Sequence, residues 1–549
     1  MKKLVSFALA LVMLTGLAAC GKAPTAASSS AEGEKIMNLG IQVRPIVSSL
    51  TDNYLKTYLE EQSGYTIEYT EFINSAAEWR SQFSTMVASG EELPDIMFGL
   101  GWNEGERYAY GSDGYLVDMA PFFEDEELTA DYRARIAELY GEDYYDYMLK
   151  YLRSPDGGIY AFPTINYSAT SGPMYASYIN KTWLDKLGLE IPTTYEQLVE
   201  VLRAFRTQDP NGNGKQDEIP ALGMVGPATT TTATTTYDLP SWILNNWLYV
   251  DDTKFFNSEN GKLSVPYVTD EYRAGVQALH DLLDEGLLST MTWTLSQGTS
   301  EINAILGPND GVAIVGVYTG DFSYRMPLDN PCMYDYVPLP PFNYAPMAAQ
   351  IPSAYLFITQ DCEVPEDAFK MFLSLATEEG SMRSRYGVEG VHWEWVEDDS
   401  PAGKGIKWLD NWSTWGSHNV NFGNQYGILL RQGQDTPYHT LPDPEAKWLN
   451  DKAATVEAHA AVYKQVAAAN NPAEVVDKLI YTEEESEALG NINTDVLIYV
   501  KESRAKFAIG DMDPYNDADW QKYVDTLYDM GLQTWLDIAQ GAWDRLNAE

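Results

Sequence analysis

Residues 209–218 (Asp-Pro-Asn-Gly-Asn-Gly-Lys-Gln-Asp-Glu) gather many oxygen-bearing side chains within ten positions. Oxygens at positions 1, 3 and 5 and a glycine at position 6 match the first half of an EF-hand loop, where position 7 offers a carbonyl to calcium. Position 12 departs from that pattern, because Pro220 replaces the bidentate glutamate. Asp217 and Glu218 would have to supply the missing carboxylates, so we expect a static structural clip. The alternative is a solvated turn, which these residue types also favour.

A second set of residues pairs aromatic rings with polar neighbours on separate stretches of the chain. A sugar presents an apolar face, on which flat aromatic rings stack, and hydroxyl groups, which polar side chains bind. Any one of these aromatic residues could instead be packed in a core. The pairs predict a collective saccharide site whose candidate residues are Trp102, Asn103, Asn166, Tyr167, Trp393, Trp412 and Trp415.

Catalysis is the weaker interpretation of the same residues. Opposed carboxylates about 5–5.5 Å or 6.5–9.5 Å apart could hydrolyse a glycoside, and 80 acidic residues make such pairs unavoidable. The sequence has no Gly-x-Ser-x-Gly elbow, no His-Glu-x-x-His motif and no phosphate-binding loop, and its five histidines lack metal-ligand spacing. We therefore expect a binding protein, not an enzyme.

The first residues predict export and anchoring. Lys2 and Lys3 precede a short apolar run, and Leu-Ala-Ala stands directly before Cys20. This arrangement is typical of a secretory signal peptide over residues 1–19, and the Leu-Ala-Ala-Cys segment resembles a bacterial lipobox, which implies cleavage before Cys20 and its lipidation. Residues 20–35 would then be the lipidated cysteine and a flexible tether. We expect membrane attachment through the lipid only, on the extracellular face.

Composition excludes some partners. The formal net charge of the 549 residues is −44, which repels nucleic acid and anionic lipid. The two other cysteines, Cys332 and Cys362, could pair, but sequence alone does not establish the geometry that a disulfide requires.

Alternating elements after residue 35 predict an α/β fold. Strands are expected at 36–41, 66–70 and 96–98, with helices at 50–62 and 76–88 between them. This order favours a largely parallel sheet, whose ligands bind beyond the carboxyl ends of the strands. Residues 99–103 would therefore lie at a ligand rim. Further along, Gly188 is expected to end a helix, and Thr193 or Thr194 to cap the next one with Glu196 completing a capping box.

Several segments resemble family 1 extracellular solute-binding proteins of bacterial ABC importers. Residues 88–96 (Ala-Ser-Gly-Glu-Glu-Leu-Pro-Asp-Ile) are similar to the family's hallmark, and residues 178–198 are the strongest match. The segment 386–390 (Tyr-Gly-Val-Glu-Gly) and the loop 209–218 are similar to a subgroup of large oligosaccharide-binding lipoproteins that carry a calcium loop. By that resemblance the ion is held by Asp209, Asn211, Asn213, the carbonyl of Lys215, Asp217 and Glu218.

The resemblance implies a two-lobed periplasmic-binding-protein-like fold, type II-like, with a helical C-terminal extension. Lobe 1 would comprise residues 36–160 and 310–360, and lobe 2 residues 161–309 and 361–549. It also places Trp242 and Trp247 where lobe 2 faces the cleft. Residues 311–318 are expected to form a buried strand that returns the chain to lobe 1, which makes Tyr318 a candidate for the rim.

The implied function is the capture of an oligosaccharide by a monomer that delivers it to the permease subunits of an ABC importer. A surface glycan-active enzyme, a non-transport adhesin, and a peptide or uronate ligand remain open alternatives.

Overall fold

The structure, a computed structural model, describes residues 35–43, 45, 47–165, 176–225, 238–295, 304–307, 311–320, 331–347, 351–397, 404–409 and 447–548. The predictions for Cys20, Asn166, Tyr167, Trp412 and Trp415 lie outside these residues, as do the signal peptide and all but the last residue of the tether.

Strands and helices alternate through most of the described chain. The strands are β1 (Ile36–Gln42), β2 (Thr66–Phe72), β3 (Ile96–Phe98), β4 (Phe162–Thr164), β5 (Ser177–Asn180), β6 (Ile219–Leu222), β7 (Asn257–Glu259), β8 (Lys262–Ser264), β9 (Val315–Thr319), β10 (Tyr336–Pro338), β11 (Ser353–Ile358), β12 (Trp393–Glu397) and β13 (Lys404–Trp408). The helices are α1 (Tyr54–Ser63), α2 (Ala76–Ser89), α3 (Glu104–Ser112), α4 (Ala120–Glu124), α5 (Ala130–Tyr140), α6 (Tyr144–Leu152), α7 (Lys181–Leu187), α8 (Tyr195–Thr207), α9 (Leu239–Leu244), α10 (Asp270–Asp284), α11 (Pro365–Leu375), α12 (Glu378–Tyr386), α13 (Lys447–Asn470), α14 (Glu483–Leu489), α15 (Ile492–Ile509), α16 (Asp517–Asp529) and α17 (Leu532–Asn547).

The first sheet has the strand order β2-β1-β3-β11-β4. Strand β1 pairs in parallel with β2 and β3, whereas β11 runs antiparallel to both β3 and β4. The alternation predicted over residues 36–98 is therefore confirmed. The chain leaves this sheet through β4 and comes back through β11, so these two neighbouring strands join the first sheet to the rest of the molecule.

The second sheet has the order β10-β5-β9-β6, with β6 and β9 parallel. The predicted lobe boundaries need correction here, because β9 and β10 fall within residues 310–360, which were assigned to lobe 1. Of the strands described in that range, β11 alone joins the first sheet.

The positions of helices α11 and α12 require a second correction of the predicted lobe boundaries. They were assigned to lobe 2, yet Phe369 and Phe372 of α11 are buried in the core beneath the first sheet. The hydroxyl of Tyr58, on α1, donates to the carbonyl of Ser374 at 3.0 Å. The amphipathic pattern of a helix does not show which sheet the helix packs against, which explains the error.

The C-terminal helices pack against the second sheet's core, as the predicted extension requires. The ring of Trp535 stacks on Phe255 at 4.1 Å between centroids. Arg504, on α15, forms an ion pair of 2.6 Å with the buried Asp252. Residues from 179 to 339 and from 476 to 543 thus share one hydrophobic core.

Local capping explains several helix bounds. Gly188 follows α7 with φ +67°, a left-handed conformation that glycine adopts without strain. Thr194 caps α8 by accepting from the backbone N–H of Gln197. The side chain of Gln197 makes the reciprocal bond, because its Oε1 accepts from the N–H of Thr193 at 2.9 Å. The prediction had given this role to Glu196. No helix in the described ranges is both long enough and apolar enough to cross a membrane.

Candidate ligand crevice and calcium loop

The first sheet has a topological switch point at the carboxyl ends of β1 and β3, the place where α/β folds form a ligand crevice. The chain order β1, β2, β3 becomes the spatial order 2-1-3, so the connections from β1 and β3 run away from each other. Ligands of parallel α/β sheets bind at such a switch point. The rim residues 99–103 follow β3 directly, where the sequence predicted them.

The rim is held in place by Arg80, which lies on α2. Its Nη2 donates to the carbonyl of Gly101 at 2.7 Å, and its Nε pairs with Glu106 at 2.9 Å. Asn103 caps α3 in a capping box, in which its side chain accepts from Glu106 N and the Glu106 carboxylate accepts from Asn103 N. Asn103, a predicted ligand residue, therefore fixes the start of α3.

Arg107 lies one turn into α3, and sequence reasoning missed it. Its side chain is only 5% exposed, and its Nε is buried without a hydrogen-bond partner. The nearest carboxylate, Glu104 Oε1, is 3.9 Å from Nη2. Burial lowers the pKa of this guanidinium, and Glu104 partly offsets that effect. A signal existed in the sequence: Arg107 and the buried Gly111 are four residues apart and share one face of the helix.

A segment between α13 and α14 reaches both parts of the fold at this point. Lys478 forms an ion pair with Glu104 of α3. Asp477 accepts from the hydroxyl of Tyr147, on α6, at 2.9 Å and pairs with Lys254 at 3.3 Å. These contacts bring the segment after α13 against two helices of the first lobe, beside the crevice.

The five predicted aromatic residues in the described ranges are divided among four hydrophobic clusters, and Trp242 and Trp247 share one of them. Trp102 is 6% exposed and packs against Trp79, Phe83, Tyr110 and Phe357. Trp242 is buried against Phe342, and the half-buried Trp247 meets the ring of Tyr195 at 4.7 Å.

Tyr318 and Trp393 are also packed among other rings. Tyr318 is buried and stacks with Tyr178 at 6.0 Å between centroids. Trp393 donates its Nε1–H to the carbonyl of Gly387 at 3.0 Å and packs beside Trp395. Among the described residues, no aromatic pair joins two of the five predicted rings. Ligand contact by these side chains stays a prediction.

The loop 209–218 is wound tightly around its own side chains. Asp209 has φ +47°, and its carboxylate accepts from the N–H groups of Gly212, Asn213 and Gly214 at 2.9–3.1 Å. Asn211 and Asn213 each accept from the N–H two residues later, and their amide nitrogens donate to Asp217 at 3.1 Å. All the side chains at positions 1, 3, 5 and 9 therefore converge.

The donor chemistry of this loop fits a calcium ion. Glu218 Oε1 is buried without a hydrogen-bond partner, and its pKa is raised by burial and by the charges of Asp209 and Asp217. In the described part of the chain, no three His, Cys, Asp or Glu side chains are grouped closely enough to hold a metal. Asp209, Asp217 and Glu218 are thus not clustered tightly enough to hold an ion by themselves, and the set would depend also on the side-chain oxygens of Asn211 and Asn213 and on the Lys215 carbonyl, neutral oxygens that calcium accepts.

The loop is also tied to the second sheet. Lys186, on α7, donates its ammonium hydrogens to the carbonyls of Pro210 and Asn211 at 2.9 and 3.0 Å. Since α7 follows β5 directly, an ion in the loop would stiffen an edge of the second lobe. Cys332 and Cys362 are both buried, and no disulfide joins them.

The chain is similar in sequence to known binding proteins. Residues 45–382 match the family model of the bacterial extracellular solute-binding proteins. A fructooligosaccharide ABC transporter substrate-binding protein, FusA of Streptococcus pneumoniae, is 27% identical over 308 residues, which are 52% of this chain and 53% of FusA. Lipoprotein LipO of Bacillus subtilis is 27% identical over 302 residues, 52% of this chain and 51% of LipO. The aligned region thus spans about half the length of these curated relatives.

Solved structures agree with the fold. An extracellular solute-binding protein from Bifidobacterium longum subsp. infantis superposes with a TM-score of 0.72 at 22% identity, over 95% of this chain and 100% of that one. The FusA complex with kestose gives 0.61 at 21% identity, over 93% and 99%. The two-lobed α/β architecture predicted from sequence is confirmed. The chain belongs to the family of bacterial extracellular solute-binding proteins.

Proposed function

We propose that the protein captures an oligosaccharide between its two lobes and delivers it to an ABC importer. The observation that carries this proposal is the crevice at the 2-1-3 switch point of the first sheet, with residues of the C-terminal half against its edge through Glu104 and Lys478. FusA, which shares 27% identity over about half of the chain, is described as a fructooligosaccharide ABC transporter substrate-binding protein.

The proposed binding cycle rests on the connections between the lobes, two of which run side by side, while a third lies between α12 and the C-terminal helices. Strands β4 and β11 lie side by side where the chain passes from one sheet to the other, which favours hinge rotation. A ligand that contacts both lobes binds the closed form more tightly than the open one and therefore shifts the population toward closure. The closed form would then dock on the permease subunits as a monomer.

The proposed location is the extracellular face of the cell membrane. The Leu-Ala-Ala-Cys segment supports lipidation at Cys20, and a relative of this chain is described as a lipoprotein. The protein would then be attached through its lipid, with residues up to 35 as a tether.

A structural calcium ion is part of the proposal. Asp209, Asn211, Asn213, the Lys215 carbonyl, Asp217 and Glu218 would hold it. The buried, unpartnered Glu218 oxygen supports this set, since a cation would supply the missing partner. The ion would stabilise the loop against α7 and take no part in ligand contact.

The test is a thermal-shift screen of the purified protein against a panel of oligosaccharides and peptides. A ligand that binds only the native state raises the melting temperature by mass action. We expect a rise with one class of oligosaccharide, which is recovered intact afterwards. A response to peptides alone, or cleavage of the sugar, would overturn the proposed function.

A further inference from the structure

We propose that Arg107 binds a carboxylate group of the ligand, so that the cargo is an acidic oligosaccharide containing a uronate-type sugar. This inference rests on the proposed function, because it names the class of saccharide that the same crevice would take.

The state of Arg107 is unusual within this chain. Among the described residues, the two buried arginines are Arg107 and Arg504. Arg504 is fully paired, with two carboxylates and the Ser241 hydroxyl within 3.4 Å. The Nε of Arg107 has no hydrogen-bond partner and its Nη2 lies 3.9 Å from a single carboxylate, although a buried guanidinium with incomplete partners destabilises the fold. A ligand that supplies the missing hydrogen-bond partners would stabilise this cation in its buried position.

The local charge balance favours an anion. Glu104 is the acidic group beside Arg107, at 3.9 Å, and it is already engaged by Lys478. Arg80 and Glu106 neutralise each other nearby. The two cations Arg107 and Lys478 therefore share one carboxylate and leave a net positive charge, even though the whole chain carries −44.

The position of Arg107 matches the ligand crevice. Helix α3 begins just beyond the carboxyl end of β3, and helical side chains tilt toward the helix N-terminus, which directs Arg107 toward that end. Gly111, one turn later, lies so close to the ring of Tyr160 that a Cβ would be 2.3 Å from it. The same face of α3 is therefore turned to Tyr160, two residues before strand β4, through which the chain crosses between the lobes.

The geometry of guanidinium recognition selects the ligand group. A carboxylate accepts two parallel N–H bonds from the planar fork and neutralises its charge, whereas a sugar hydroxyl does neither. Neutral sugars could contact the crevice, but they would leave the charge of Arg107 uncompensated. An acidic sugar satisfies both requirements at once.

The experiment compares matched saccharides on the full protein. Uronate trisaccharides, their methyl esters and neutral trisaccharides are titrated by calorimetry into the wild type and into Arg107→Met and Arg107→Lys. We expect a uronate trisaccharide to bind the wild type, and its methyl ester to bind about 10- to 100-fold more weakly. Arg107→Met should weaken binding of the acid by a similar factor and Arg107→Lys by less, because lysine keeps the charge without the fork.

Stability separates a ligand role from a structural one. Because the one carboxylate beside Arg107, Glu104 at 3.9 Å, keeps its ion pair with Lys478, Arg107→Met should keep or raise the melting temperature of the ligand-free protein. Arg203→Met, on the exposed face of α8, serves as the matched arginine control and should bind the acid like the wild type. Equal binding of the acid by Arg107→Met, or a drop in its ligand-free melting temperature, would overturn the inference.

The two proposals fail in different ways. If neutral trisaccharides bind the wild type and uronates do not, the transport function stands and the role of Arg107 falls. If no saccharide of either class binds, the proposed function falls as well.

Discussion

Replacing Arg504 with methionine is expected to destabilise the second lobe more than any surface charge change. The side chain of Arg504 is 1% exposed and faces two carboxylates, with Nη2 at 2.6 Å from Asp252 and 3.4 Å from Asp238. Its Nη1 donates to Ser241 Oγ at 2.9 Å, and Tyr267 donates to Asp252 at 2.9 Å. Because Arg504 is on α15 and its partners belong to the segments around α9, this cluster fastens the C-terminal helices to the rest of the lobe.

The magnitude follows from the charges that the substitution leaves behind. Removing one partner of a buried ion pair costs about 3–5 kcal/mol of unfolding free energy, because the remaining charge is desolvated and uncompensated. In the wild type, burial raises the pKa of Asp252, but the charges of Arg504 and Lys501 outweigh burial and hold that pKa below its usual range. Without Arg504, burial dominates and the folded-state pKa of Asp252 rises above its unfolded value.

The sign of the pH dependence follows. A carboxyl with a raised folded-state pKa binds more protons in the folded state, so stability falls as pH rises. The deficit of Arg504→Met relative to the wild type should therefore be larger near about pH 8 than near about pH 5.

Differential scanning calorimetry at the two pH values measures both effects. Arg203→Met is the control, since Arg203 pairs with Glu285 through two bonds of 2.7 Å on the surface, and its removal should barely change the melting temperature. A triple variant, Arg504→Met with Asp238→Asn and Asp252→Asn, should recover part of the loss. A deficit below about 1 kcal/mol, or one that does not change with pH, would refute the reasoning.

Three further predictions test separate local features. Calcium should raise the melting temperature of the wild type by mass action, and a chelator should reverse the rise. The melting temperature of Asp209→Ala should respond to neither. An equal response by this variant would contradict the loop as the calcium site. Thr482→Ala removes a capping box with Glu485 and should lower the unfolding free energy by about 1 kcal/mol in urea denaturation, and an unchanged midpoint would show that the box contributes nothing. Gly111→Ala places a Cβ 2.3 Å from the Tyr160 ring and should cost about 1–3 kcal/mol, so an unchanged thermal melt would mean that the ring moves aside freely.

Elements with strong local signals were predicted well. The helix expected at 76–88 is Ala76–Ser89, and it ends at Gly90, whose φ of +67° suits a C-terminal cap. The loop 209–218 has the convergent side chains expected from its spacing, because bonds between residues two to five apart determine its shape. Local hydrogen bonding and periodicity suffice in such cases.

Long-range pairing was not accessible from the sequence. Strand β9 is buried on both faces and reads as a uniform apolar run, which fits either sheet. The contact of Glu104 with Lys478 joins residues far apart in the chain, and the sequence around either residue does not indicate the pairing. The separate packing of Trp102, Trp242 and Tyr318 likewise depends on tertiary contacts.

The interleaving of the chain has a consequence for the order of folding. The first sheet cannot be completed until β11 has been synthesised, and the core of the second sheet lacks a wall until residues 476–543 are present. The first lobe therefore cannot close before residues up to 376 have been made, and the second cannot close before the C-terminal helices have been made. Most of the polypeptide must therefore be made before either core can close.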